Sequence, residues 1–175
     1  MDRNLGATQI ATGSTDAASY GDLYQWVRGT DGHEKRAAGT TSTLSSTDVP
    51  GNAKFIIING VDWRSAKNDN LWQGVNGTNN PCPAGFRLPT EPKWIAEQAR
   101  WSPQNQLGAF NSPLKLPMAG YRIFHDGAFD AVGAGGFYWS NTVSGLEARF
   151  MRFNSSLVVI PLYRFYGFSV RCIKD

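Results

Sequence analysis

An α+β domain is the fold class this sequence predicts, and three observations carry it. Two short helix signals fall before Pro103. Four strand signals, each bounded by Gly, Asn, Asp or Ser, follow it. Long stretches of small, Asn-rich and Gly-rich chain lie between them and read as ordered loops. No internal repeat or domain boundary is visible, so residues 1–175 read as one domain, long enough to bury a core.

The first helix signal is Tyr20 to Arg28. Leu23, Trp26 and Val27 stand at i, i+3 and i+4 and form one apolar stripe. Gly29-Thr30-Asp31-Gly32 ends it with turn residues. Residues 36–53 are small and polar and predict an exposed loop, with Phe55 to Ile58 as a buried strand after it. From Asp62 to Asn80 the chain is dense in Asn, Asp, Gly and Trp, which satisfy backbone groups in local turns. Pro81, Pro83 and Pro89 then restrict φ. Thr90 is the expected N-cap of the second helix, with Glu91 and Pro92 in its first turn. Trp94, Ile95 and Ala99 are its expected buried face, and it should end near Arg100 to Trp101. No further helix is predicted. Leu114–Tyr121, Gly136–Ser140, Arg149–Asn154 and Phe168–Ile173 are the strand signals.

Composition excludes several functions. No apolar run, whether Phe55 to Ile58 or Leu157 to Tyr163, approaches the roughly 20 residues of a membrane span. A net charge of +3 with no Lys/Arg run is not the footprint of nucleic-acid binding. Disorder is at odds with 13% aromatic residues and only 18% charged ones. The N-terminal Met1-Asp2-Arg3-Asn4-Leu5-Gly6 lacks the apolar core of a signal peptide and reads like the middle of a folded segment, as in a fragment of a longer protein. The charge is uneven: after Asn141 there are five basic and two acidic side chains, so the whole excess sits in that tail.

Catalytic patterns are missing. HExxH, GxSxG and GxxxxGK[ST] do not occur. His33 and His125 sit in Asp/Gly turns, and Val132-Gly133-Ala134-Gly135-Gly136 precedes a strand, whereas a phosphate loop opens a helix. Cys82 and Cys172 cannot supply four zinc ligands; they are one disulfide or two buried thiols. Asp62, Asn68, Asp69 and Asn70 offer oxygens to Ca²⁺, but their spacing is not that of an EF-hand, and hydrogen-bonded turns are the plainer reading. Trp26, Trp94 and Trp139 read as core. Trp63, Trp72 and Trp101 lie in loops, as sugar-stacking platforms or as packed anchors.

One segment departs from these rules. Leu157 to Tyr166 has one charge in ten residues and no period of two. Pro161 argues against a central sheet strand. The segment is either a buried core strand or an exposed apolar and aromatic surface of the kind that binds proteins.

As an ordered set, several motifs resemble the Fibrobacter succinogenes major paralogous domain. They are Met1-Asp2-Arg3-Asn4-Leu5-Gly6-Ala7, Tyr20-Gly21-Asp22-Leu23-Tyr24-Gln25-Trp26, Asp31-Gly32-His33-Glu34, Asp62-Trp63-Arg64, Asn68-Asp69-Asn70-Leu71-Trp72, Asn80 to Thr90, Leu116 to Arg122, Tyr138-Trp139-Ser140 and Gly167 to Cys172. The resemblance implies a C-type-lectin-like fold of the formylglycine-generating-enzyme type: two helices, a small mixed sheet and long loops, with Phe168 to Ile173 in the core. No cysteine pair close in sequence carries that enzyme's chemistry over, so the expected protein is not an enzyme. Such domains also resemble the variable proteins of diversity-generating retroelements, in which adenine mutagenesis of Asn codons diversifies a C-terminal binding surface. Leu, Val, Ile, Pro, Tyr, Arg and Phe are reachable from an Asn codon in that way, while Met151 and Glu147 are not.

The resemblance implies a ligand-binding domain with a variable segment at about 146–166, displayed on a phage tail fibre or a bacterial cell surface. The expected ligand-facing residues are Phe150, Arg152, Leu157, Val159, Ile160, Leu162, Tyr163, Phe165 and Tyr166. Arg152 and Arg164 could meet carboxylates, with scaffold the other reading of Arg164. An apolar-aromatic face favours a protein ligand over a glycan. No membrane insertion, nucleic acid or cofactor is expected, and the oligomeric state is open.

Overall fold

The computed structural model describes residues 1–57, 60, 62–154 and 158–175, and for 158–163 only the backbone. Its α+β character is as expected: short strands β1 (Tyr24–Gln25), β2 (Thr40–Thr41), β3 (Phe55–Ile56) and β4 (Phe86–Arg87) precede helices α1 (Glu91–Gln98) and α2 (Gln106–Asn111). Then come β5 (Tyr121–Arg122), β6 (Phe129–Asp130), β7 (Gly136–Ser144), β8 (Glu147–Phe153), β9 (Val158–Tyr163), β10 (Gly167–Phe168) and β11 (Ile173–Lys174). They form a three-stranded antiparallel sheet β7-β8-β9, a four-stranded sheet β1-β10-β5-β6, and the pairs β4/β11 and β2/β3, the last parallel.

The central strand β8 has two covered faces. Phe137 and Trp139 of β7 stand opposite Arg152 and Phe150, while Tyr138 stands opposite Met151. On one side Met151, Phe153 and Tyr138 pack with Trp94, Trp101 and Ala109 from the helical region. On the other, Phe150, Ala148, Phe137 and Trp139 pack with Trp26, Trp63, Trp72, Phe168 and Val170, which come mostly from loops. β9 pairs only with β8 among the described residues, placing Pro161 on an edge strand, where its missing N–H is tolerated.

Helix α1 begins at Thr90 as expected, with Pro92 in its first turn, but the Thr90 side chain makes no capping bond. Thr142 Oγ1 instead accepts from the Glu91 N–H at 2.9 Å, so a neighbouring strand provides the cap. Of the expected face only Trp94 is buried, its indole N–H donating to the Trp139 carbonyl at 3.1 Å. Ile95 is 49% exposed and Ala99 is exposed too, because an eight-residue helix at the rim meets the sheet along one narrow line. Helix α2 was not expected: six residues with Gly108 in the middle give a weak periodic signal. Its Asn105 N-cap, accepting from the Leu107 N–H at 2.9 Å, was the signal that could have found it.

Tyr20–Arg28 is not a helix. A 3-10 turn covers Ala17–Ser19, β1 follows, and Val27 has a φ of 59°. Leu23, Trp26 and Val27 are buried all the same. Their backbone finds distant partners instead of helical ones: Leu23 N–H donates to the Glu34 carbonyl, Gln25 N–H to His33 Nε2 and Trp26 N–H to the Arg164 carbonyl. Of Leu114–Tyr121 only Tyr121 is in a strand. Phe168 to Cys172 is buried throughout, bridged at Ser169 to Tyr138. Cys82 and Cys172 form a disulfide, and all six tryptophans are buried. No helix among the described residues is long and apolar enough to cross a membrane.

Candidate ligand-binding basin

Where the tail strands meet β5 and β6, a basin of about 230 Å³ opens, lined by Tyr121, Asp130, Phe137, Phe150, Arg152, Tyr166 and Phe168 among others. Each lining group has a backbone reason to be there. Strands β5 and β6 pair Tyr121 with Asp130, β7 and β8 pair Phe137 with Arg152, and β10 follows Tyr166 directly. Two residues apart on one strand, Phe150 and Arg152 share a face. The rings interlock: Tyr121 lies 4.7 Å from Phe137 and 5.6 Å from Tyr166, and Phe150 lies 4.8 Å from Phe168.

The polar groups are arranged unevenly. Tyr121 donates its phenol proton to Asp130 Oδ2 at 2.6 Å, and Asp130 Oδ1 accepts from the Ala131 N–H at 2.6 Å. Burial, then the neighbouring carboxylate, pushes the Tyr121 phenol up to about 12, while the phenol's hydrogen bond holds Asp130 below its ordinary value. Burial alone raises Tyr166. Across the basin the Arg152 guanidinium stands 5.7 Å from the centre of the Phe137 ring. Its Nε is buried and has no hydrogen-bond partner among the described residues.

Three of the expected ligand-facing residues line this basin: Arg152 and Tyr166, both half-buried, and Phe150 as its floor. Phe150 is nevertheless a correction. It is 1% exposed and packs on Trp139 and Phe168, because β8 is a central strand covered on both faces. Phe165 is also a correction: it is buried against Phe124, with ring centres 4.3 Å apart. Leu157 lies outside the described residues, as do the side chains of Val159, Ile160, Leu162 and Tyr163. Tyr121, Asp130 and Phe137 were not expected at a site. Tyr121 sits in a recognisable motif, but no sequence signal joins these three to the tail.

Arg164 takes the scaffold role. It is fully buried over the Trp26 ring at 4.5 Å, with ion pairs to Asp62, at 3.5 Å, and to Asp69. Of the other oxygens considered for Ca²⁺, Asp69 Oδ2 accepts from Lys67 Nζ at 3.0 Å, and Asn68 Oδ1 accepts from the Asn70 N–H at 3.1 Å. Asp31, His33 and Glu34 form a second cluster with metal-ligand chemistry. His33 Nε2 accepts from Gln25 N–H at 3.0 Å, so the proton is on Nδ1, which donates to Asp31 Oδ1 at 2.7 Å. Both ring nitrogens are therefore spent on the protein. Burial lowers the imidazole to about 4 and keeps it neutral.

A larger cavity of about 290 Å³ lies between α1 and α2, lined by Glu97, Arg100, Trp101, Asn111 and Ser112. It contains no tail residue, and its Trp101 N–H already donates to Glu97 Oε1 at 3.1 Å. The smaller basin is the better candidate because it combines ring surface with an unsatisfied donor. Compared with known proteins, the chain matches no family model, no curated protein and no solved structure.

Proposed function

We propose that this chain is a non-enzymatic ligand-binding domain whose C-terminal surface takes a protein ligand. The observation that carries the reading is the basin at the tail: clustered rings around a buried guanidinium nitrogen with no partner among the described residues. Arg152 lines the basin half-buried and makes no ion pair among the described residues, so its guanidinium offers a ligand's acceptor a charged partner. The reactive groups do not converge there. Both cysteines are joined to each other, and His33 is committed to Asp31 and Gln25.

In this reading the fold is C-type-lectin-like and the domain is a variable protein of a diversity-generating retroelement. Two features of the tail support it. Met151, unreachable from an Asn codon, is buried on the helical side, and the Gly167–Cys172 end is buried as scaffold. The disulfide suits an oxidising location such as a phage tail tip or a bacterial surface. A glycan ligand is less favoured because all six tryptophans are buried and none offers a stacking platform.

The test screens the purified domain against a displayed peptide library and a glycan array, each with and without chelator. Peptide enrichment that Tyr166→Ala abolishes is the expected result. Chelator-sensitive glycan binding would overturn the protein-ligand reading. Sequencing the DNA around the gene tests diversification: a reverse-transcriptase gene and an Asn-codon-rich near-copy of the 3′ end are expected, and their absence would refute that part.

A further inference from the structure

This inference rests on the ligand-binding reading and gives its ligand a chemistry. We infer that the basin seats one aromatic side chain of a protein ligand, whose flanking carboxylate meets Arg152.

Size argues for a single side chain. At about 230 Å³ the basin lies below the roughly 300–1,000 Å³ of small-molecule sites. Its accessible walls are the half-buried rings of Tyr121 and Tyr166, over a floor of the buried Phe137, Phe150 and Phe168, which favours a flat apolar group stacked edge-on or offset. Charge argues for an acid beside it. Arg152 makes no ion pair among the described residues, and Asp130 is already engaged by Tyr121 and Ala131 on the opposite wall. A carboxylate in the basin would give the Arg152 guanidinium a charge-assisted bond, stronger than a neutral acceptor could give. A cationic ligand would be repelled by the guanidinium that stands over Phe137. A sugar acid would bring the carboxylate but would bury its hydroxyls against rings that cannot pair them.

The probes are 3-phenylpropionate, which has both features, 2-phenylethylamine, which has the ring with the wrong charge, and N-acetylneuraminic acid. NMR titration of the intact domain should show saturable shifts at the Arg152 Nε–H and at the Tyr121 and Tyr166 rings with 3-phenylpropionate only. Arg152→Gln and Tyr166→Ala should each weaken it about tenfold or more, with Arg152→Lys intermediate. The inference is overturned if the amine or the sugar acid binds as well as the phenyl acid, if Arg152→Gln and Arg152→Lys both bind like the wild type, or if no shift appears at about 10 mM, above the millimolar constants expected of so small a fragment. Failure here is separable from failure of the ligand-binding reading. Peptides that enrich and lose binding in Tyr166→Ala, yet lack an aromatic–acidic pair, sink this inference alone. Chelator-sensitive glycan binding sinks both.

Discussion

The two faces of β8 are built by different means. The helical face is closed by packing: Met151 and Phe153 are fully buried against Tyr138, Trp94 and Trp101. The loop face uses polar staples as well. Arg28 donates to Asp31, Gln25 and the carbonyls of Asn52 and Lys54, and the Cys82–Cys172 bridge closes the chain end. Helices satisfy their own backbone, whereas loops must be satisfied by side chains from elsewhere. The loop face should therefore respond to redox and pH, and the helical face chiefly to cavity creation. Each side leaves a hollow, but only the one on the loop face is lined by tail residues.

The largest expected effect is that of the disulfide. The cysteines are 90 residues apart, and the chain-entropy estimate for such a loop is about 4–5 kcal/mol. Cys82→Ser with Cys172→Ser should lower the melting temperature by about 10 °C or more in a thermal melt. A loss below about 1 kcal/mol would show that the loop face does not need its clip.

Phe153→Ala comes next, at about 3–5 kcal/mol in denaturant unfolding, because it empties space between Trp101 and Tyr138. Its effect should be the same at pH 7 and pH 5, since the one titratable side chain in that cluster, Tyr138, is held protonated by burial throughout that range.

His33 gives the loop face its pH dependence. Its folded value of about 4 lies below the ordinary 6.5, so the unfolded chain binds the extra proton between those values. Stability is then full above pH 6.5 and declines as pH falls toward 4, by about 3 kcal/mol in total. His33→Asn should flatten that part of the unfolding-versus-pH curve. An unchanged slope would show that His33 does not carry it.

The smallest effect on stability belongs to the basin. Tyr166→Ala should cost about 1 kcal/mol or less, because the side chain is only half-buried, while removing ligand binding. A loss comparable to that of Phe153→Ala would make Tyr166 a core residue and erase the contrast between the two faces.

Part of this architecture could be read directly. Thr90-Glu91-Pro92 marks a helix start because caps and Pro act within a few residues. The signals at Gly136 and Arg149 became β7 and β8 because strand alternation is equally local. Tyr20–Arg28 misled for the opposite reason. Its helical stripe is present, but His33, Glu34 and Arg164 take its backbone bonds, and partners distant in sequence leave no local trace. The aromatic tail supplies Phe150, Arg152, Tyr166 and Phe168 to the candidate basin. It did not separate Arg152 and Tyr166, which line the basin half-buried, from Phe165, which is buried behind it.

Residues alone established an α+β chain with no apolar run able to span a membrane and a basic, ring-rich end. Local propensity, charge and composition suffice for that. Tertiary structure decided which Arg is spent and which is free. Arg164 and Arg152 are alike as letters, but Arg164 folds onto Trp26 with ion pairs to Asp62 and Asp69, and Arg152 is left beside Phe137 with no ion pair among the described residues. The physical reason is that a charge finds its partners through space, from loops many residues away, and only the folded chain brings those loops together.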